Sequence, residues 1–443
     1  LSINISYNRI WNIAYPIILG SVAQNLINVT DTAFLGRVGE IELGASALGG
    51  MFYLILFTVA MGFGTGTQII ISRRFGEGRT EQIGKTFDHA IYFMAPLALA
   101  SFLVMLWAAD PILRYVVGSD QVYDASVRFV NYRMYGIFFA VGQILYRAFY
   151  IGIAQTQIIT WSTLIMASVN IFLDYALIFG NFGFPEMGVE GAALASTLAE
   201  MITFVYLMLY VRHKRHHKEY GLYQFKKFNS QLFKRNSKLS VPIMVQNFFS
   251  FGVWFTFFLF VEKLGEQALA VSNIIRSVYI VLMIPIWGFA SAANSMVSYL
   301  IGMKHPEKIF LLLRRIEIMA IAGVALLVTA SMVFPRSILM IYTNDVNLIG
   351  QSISPLKVIG ISAIFLASGN ILFNGVMGTG KTNVSFLIEA VVLTVYVGYV
   401  FVVVHLLHAN VTIAWTTEIL YGIILTGLSY LYLKKGNWIK KSI

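Results

Sequence analysis

The chain has 443 residues, 58% of them hydrophobic and only 12% charged, with a mean hydropathy of +0.73. A soluble domain carries about 25% charged residues, so there is too little polar surface here to cover the chain in water, and it belongs in a bilayer. The absence of cysteine removes disulfide and thiol chemistry, and the net charge of +11 has to be explained within a membrane.

Apolar runs long enough to cross about 30 Å of hydrocarbon number twelve, and the reading is an all-α integral membrane protein. The first six lie near 10–35, 43–71, 86–108, 131–152, 158–179 and 188–211. The second six lie near 239–261, 268–300, 312–334, 355–378, 384–407 and 411–433. Arg9 precedes the first run and no small-residue cleavage site ends it, so a retained helix is expected rather than a signal peptide. Residues 1–211 form an N-terminal lobe, 212–238 a basic linker carrying nine Lys or Arg, and 239–443 a C-terminal lobe.

The lobes repeat each other at a lag of 226 residues. Pro16-Ile17 recurs as Pro242-Ile243, Gly39-Glu40 as Gly265-Glu266 and Gly62-Phe63 as Gly288-Phe289. Over 16–83 the ungapped comparison has 16 identities in 68 positions, including the punctuating Gly and Pro. Duplication of a hydrophobic chain is a mark of secondary transporters. Six spans per copy is an even number, so both copies start on the same side and are parallel repeats.

Of the 32 Lys and Arg, 24 fall in segments that share a side with the N-terminus, among them Arg73, Arg74, Arg79, the linker bases, Lys434, Lys435, Lys440 and Lys441. The positive-inside rule then places both termini in the cytoplasm. The charge reflects topology and an anionic inner leaflet, with no need for nucleic acid.

Carboxylates inside a bilayer cost at least about 2.5–3.5 kcal/mol each and are functional candidates by default. Asp31 stands toward the outer end of the first span, after Gln24, Asn25, Asn28 and Thr30, and faces Phe257 in the copy. It is either hydrated at the interface or a working group. Asn170 and Asp174 are four apart, so they share a helix face and either converge on one cation or pair as packing contacts. In the sixth span Gly191-Ala192-Ala193-Leu194-Ala195-Ser196-Thr197 combines small residues with hydroxyls. Small residues admit close backbone approach, and Ser196 can supply a further oxygen. Such hard donors suit Na⁺ or a proton, not a soft transition metal.

On these residues the chain resembles the multidrug and toxic compound extrusion (MATE) family, in its DinF-like branch. Pro16, Gln24 and Asp31 carry the resemblance in span one and Asn170 to Asp174 in span five. Gly191 to Ser196 in span six and the duplicated Pro242 in span seven continue it. The resemblance implies proton and substrate coupling at Asp31 and Gln24. It further implies a cation site at Asn170, Asp174, Ser196 and Ala192, and bending at Pro16 and Pro242. Ser196 stands where the family often has Thr. Spans seven and ten lack the acids of the sodium-coupled branch, which leaves Glu389 and Arg276 as the strong ionisable candidates of the C-terminal lobe.

Residues 375–382, Gly-Val-Met-Gly-Thr-Gly-Lys-Thr, match a phosphate loop, but they join two membrane spans where that motif needs a soluble strand and helix. His213, His216 and His217 read as a solvated basic face. Helix-seven aromatics from Phe248 to Phe260 are expected mostly to face lipid or core, with some lining a cavity suited to amphipathic molecules. The expectation is a monomeric antiporter of the inner membrane of a bacterium or archaeon. It takes drug-like lipophilic cations and contacts membrane lipids. H⁺ or Na⁺ is the coupling ion, there is no cofactor and no enzymatic chemistry, and a lipid-linked oligosaccharide flippase is the alternative.

Overall fold

Every long element in the computed structural model is an α-helix, and the structure describes residues 5–438. In chain order these are α1 (Tyr7–Val38), α2 (Glu40–Gly76), α3 (Thr80–Val116), α4 (Asp120–Arg133), α5 (Gly136–Gly152), α6 (Gln157–Phe179), α7 (Gly188–His213) and α8 (His216–Glu219). They continue as α9 (Ser230–Glu262), α10 (Glu266–Gly302), α11 (Ile309–Val333), α12 (Pro335–Leu339), α13 (Val346–Gly378), α14 (Thr382–Phe401), α15 (Val411–Trp415) and α16 (Thr417–Lys435). Among the described residues eleven spans are long and apolar enough to cross a membrane, and α4 with α5, bent by 51°, makes a twelfth. The expected twelve-span, all-α membrane architecture is therefore present. Lys440 and Lys441 lie outside the described residues.

The duplication survives in the helix ends. α2 and α10 are displaced by 226 residues at both ends, and so are the first residue of α4 and the last of α5 relative to α13. One copy breaks where the other is continuous. The fourth span, expected to begin near 131, is thus two helices that start at Asp120. One contact at the break is particular to the N-terminal unit: Thr197 on α7 donates its hydroxyl to the Tyr132 carbonyl at 3.1 Å. Position 423, the counterpart of Thr197, is isoleucine, which has no donor, and α13 runs straight through.

The seventh span also starts earlier than expected, at Ser230, because Asn229 caps it by accepting from the Gln231 and Leu232 amides. The polar stretch ahead of it is fastened down. Asp88 on α3 accepts three backbone N–H groups, from Tyr223 at 2.8 Å and from Gln224 and Phe225 at 3.0 Å. His216 departs from the solvated reading, being 7% exposed among Phe149, Tyr150, Tyr210 and Tyr220. Burial holds its imidazole below the ordinary value.

The chain divides into two compact units, Leu19–Met244 (the N-terminal unit) and Leu1–Ile18 with Val245–Ile443 (the C-terminal unit). Both divisions fall inside a helix, two residues after Pro16 in α1 and two after Pro242 in α9. Glycine makes the crossings possible. A Cβ on Gly62 would stand 2.6 Å from the Met244 backbone, and one on Gly288 would stand 2.3 Å from Ile18 Cγ1. Each unit is thus completed by the opening turns of the other repeat's first helix.

Candidate cation site

Two close helix contacts in the N-terminal unit bring the predicted residues together. α1 lies on α6 at Gly20, whose missing side chain leaves room for Thr163 Oγ1, 3.3 Å from where a Cβ would be. Eleven residues further on, Asp31 meets Asp174, also eleven residues beyond Thr163. Eleven residues are about three turns, so the same face returns on both helices and they run side by side in the same direction. On the other flank a Gly191 Cβ would lie 2.7 Å from the Leu177 carbonyl, so α7 closes tightly on α6. The left-handed Gly180 ends α6, and Met187 N–H donates to Leu177 O at 2.8 Å to start the return.

That approach places Asn170 Nδ2 at 3.3 Å from Ser196 Oγ, with the amide donating. Asn170 is 1% and Asp174 0% exposed. Asp31 is half-buried, but its Oδ1 is fully enclosed. Asp31 Oδ1, Asn170 Oδ1 and both Asp174 oxygens meet no N–H or O–H donor among the described residues. Two carboxylates within hydrogen-bonding range of each other cannot both remain ionised without a positive charge between them. Either one shared proton or one small cation satisfies the pair, and the neutral Asn170 and Ser196 oxygens extend the donor set. Among the described residues no group of three His, Cys, Asp or Glu gathers for a metal ion. The donor set accordingly fits Na⁺ or H⁺, not a transition metal.

Ala192 is buried one turn before Ser196 and contributes the small surface on which α7 packs. Gln24 is on the Asp31 face of α1, two turns earlier, and its side chain is exposed. Pro16 and Pro242 lie inside α1 and α9.

A second polar cluster beside the site escaped the sequence reading. Arg133, at the end of α4, forms a two-pronged ion pair with Glu200 on α7, at 2.7 and 2.5 Å. The Tyr53 hydroxyl donates to both Glu200 oxygens at 3.0 and 3.1 Å, and the Arg133 guanidinium lies 3.6 Å from the centre of the Tyr53 ring. Arg133 is also near enough to Asp31 to act on its charge. Glu200 stands four residues after Ser196 on the same helix, so its position inside a span was the available signal.

In the C-terminal unit Glu389 pairs locally, accepting from Ser250 at 2.8 Å and Tyr421 at 2.9 Å through one oxygen. Arg276 lies over the Phe258 ring at 5.3 Å. These are not the unit's only embedded ionisable groups. Glu418 is buried and accepts from Tyr279 at 3.2 Å and Tyr396 at 2.9 Å, and Glu317 accepts from Ser368. The repeat makes the contrast specific. Asp31, Asn170, Ala192 and Ser196 correspond to Phe257, Tyr396, Glu418 and Gly422, so aromatic rings stand where Asp31 and Asn170 present open oxygens, and the acid of this unit, at the Ala192 position, is already bonded.

The phosphate-loop match is a helix cap. Thr379 and Gly380 N–H groups, which a phosphate would need, bond instead to the Gly375 and Val376 carbonyls and the Met377 carbonyl. The loop follows α13 and leads into α14, with no strand before it.

Comparison with known proteins bears on the fold and the family. The chain is 26% identical over 443 residues to a probable multidrug resistance protein NorM of Thermotoga maritima, covering 97% of this chain and 93% of that one. A NorM of Synechocystis is 24% identical, covering 83% of this chain and 79% of its own. Among solved structures, an outward-facing multidrug resistance MATE transporter of the MOP superfamily superposes with a TM-score of 0.90 at 20% identity, covering 98% and 97% of the two chains. A MOP superfamily transporter from Pyrococcus furiosus gives the same TM-score, identity and coverage. Residues 16–176 and 242–404 match the MatE family model. Both halves of the duplication are thus covered, and the chain belongs to the MatE family of multidrug and toxic compound extrusion proteins, which are transporters and not enzymes.

Proposed function

We propose that the chain is a secondary active multidrug antiporter that exports lipophilic cations in exchange for H⁺ or Na⁺ by alternating access. The observation that carries this reading is the Asp31–Asp174 pair beside Asn170 and Ser196, in which Asp31 Oδ1, both Asp174 oxygens and Asn170 Oδ1 are enclosed and meet no donor among the described residues. A coupling ion is the missing positive charge. Its arrival and departure change the charge state of the N-terminal unit, which gives two states for transport to alternate between. Gln24 extends the polar face of α1 toward substrate, and Pro16 and Pro242 supply bending points where an internal hydrogen bond is absent. We place the protein in the cytoplasmic membrane of a bacterium or archaeon as a monomer of two six-span lobes, 1–211 and 239–443, joined by the linker 212–238. Both termini would be cytoplasmic. The lack of acids in α9 before Glu262 and in α13 favours the DinF-like branch.

The test is transport in proteoliposomes with Na⁺ and pH gradients imposed separately, together with Na⁺ binding measured at several pH values. Na⁺ and H⁺ compete for the same oxygens, so Na⁺ affinity should fall as the solution is acidified. Asp174→Asn keeps the size and removes the charge. It should weaken Na⁺ binding at least tenfold, equivalent to about 1.4 kcal/mol, with Asn170→Ala and Ser196→Ala milder. Asp31→Asn should express normally and fail to transport. Undiminished, pH-independent Na⁺ binding in Asp174→Asn would move the ion elsewhere.

A further inference from the structure

Where α2 ends and α9 begins, four arginines of the N-terminal unit gather around one acid. Arg73 and Arg74 close α2, Arg79 follows in the turn, and Arg235 belongs to the second turn of α9. Glu77 accepts from Arg74 and lies 3.3 Å from Arg79. Arg73 and Arg235 are near enough to act on each other's charge, and Arg235 also feels Arg74, Arg79 and Glu77. Arg235 Nε and Nη2 are enclosed and meet no acceptor among the described residues.

The internal duplication provides the comparison. At the 226-residue lag Arg235 corresponds to Arg9, and Arg73 to Tyr299. In the C-terminal unit Arg9 lies over the Tyr299 ring, 5.1 Å from its centre, so a cation–π contact satisfies the arginine of the incoming helix. Arg74, Glu77 and Arg79 correspond there to Leu300, Met303 and His305. The scaffold can therefore make this crossing with one arginine on a ring. In the N-terminal unit the ring is replaced by a second guanidinium, and two more arginines are added with a single carboxylate among them. The dipole at the end of α2 favours some positive charge, but it offers no acceptor to the enclosed edge of Arg235. Guanidiniums that act on one another's charge in this way repel, and an anion between them relieves that repulsion.

We propose that this cluster is a binding site for a phosphate-bearing anion. Nε and Nη2 form one edge of the guanidinium, two parallel N–H donors that match two phosphate oxygens. Arg73, Arg74 and Arg79 supply the remaining charge. The source is an anionic phospholipid headgroup in the leaflet at this end of the bundle or a free phosphate, and the two are separable.

Purified, delipidated protein is offered phosphatidylglycerol, phosphatidylcholine or inorganic phosphate, and bound anion is followed by native mass spectrometry and thermal unfolding. Wild type should retain phosphatidylglycerol over phosphatidylcholine, and Arg235→Gln and the exposed Arg79→Gln should each lower that retention about tenfold. Lys304→Asn, which removes an exposed base from the turn after α10, should leave it unchanged. Stabilisation by inorganic phosphate alone, lost in Arg235→Gln, would assign the same site to free phosphate. Arg73→Tyr installs the residue of the other repeat and should fold without anion, giving a second reading if Arg235→Gln is poorly produced. Equal retention by wild type, Arg79→Gln and Arg73→Tyr would overturn the proposal. So would an equal loss in Lys304→Asn, since that would reduce the effect to general surface charge.

Discussion

Glu200→Gln should be among the most damaging single substitutions in the N-terminal unit. The side chains of Arg133 and Glu200 are 11% and 13% exposed and held by two hydrogen bonds, with Tyr53 covering one face and donating to both oxygens. Replacing the carboxylate by an amide leaves an enclosed guanidinium without a counter-charge, a loss of about 3–5 kcal/mol in comparable buried pairs. Gly136 sharpens the case, because even a methyl group there would stand 2.2 Å from Arg133 Nη1 and 2.4 Å from Glu200 Oε2, so the pair fills the space that the missing side chain leaves. Removing both charges, with Arg133→Met beside Glu200→Gln, should recover most of the loss, since buried pairs are often replaceable by apolar groups at little cost. The assay is a double-mutant cycle on reversible unfolding in mixed micelles. The coupling between the two changes should be about as large as the single-mutant loss. Additive effects, or a Glu200→Gln variant as stable as wild type, would show that the pair does not stabilise the N-terminal unit.

Gly62→Ala should lower stability by about 1–3 kcal/mol and reduce membrane expression, because the new Cβ meets the Met244 backbone. Gly288→Ala should be milder, because its first obstacle is the movable Ile18 side chain, and equal expression of the two variants would refute that distinction. Lys381→Ala should transport normally and the protein should not bind ATP, as the amides of that turn are already bonded; loss of both activities together would contradict this. His216 is buried neutral, with its imidazole below the ordinary 6.5 mainly through desolvation. The unfolded chain therefore binds the proton more readily, so this stabilisation is complete above 6.5 and is lost as pH falls through the lower folded value. Melting temperature followed against pH should drop less steeply in His216→Phe, and identical slopes would refute the assignment.

Much of this molecule was determined along the chain. Apolar length alone specified the membrane spans, and the 226-residue lag specified two copies, because both depend on residue order and not on partners. The Asn170 and Asp174 spacing likewise put two oxygens on one helix face before any packing was known. Tertiary structure decided what those faces meet. Asp31 is 143 residues from Asp174, and only the Gly20 contact between α1 and α6 turns two separate acids into a pair. The same holds for Glu200, which reads as one more embedded acid until Arg133 and Tyr53 close around it, and for Thr197, whose hydroxyl meets the Tyr132 carbonyl of another helix at the break in the fourth span. His216 follows the same logic, since a basic loop looks solvated until Phe149, Tyr150 and Tyr210 from neighbouring helices, with its own Tyr220, cover it. Sequence periodicity fixes which side of a helix is polar; the depth of a missing side chain at Gly20, Gly62 or Gly191 fixes which helix lies against it.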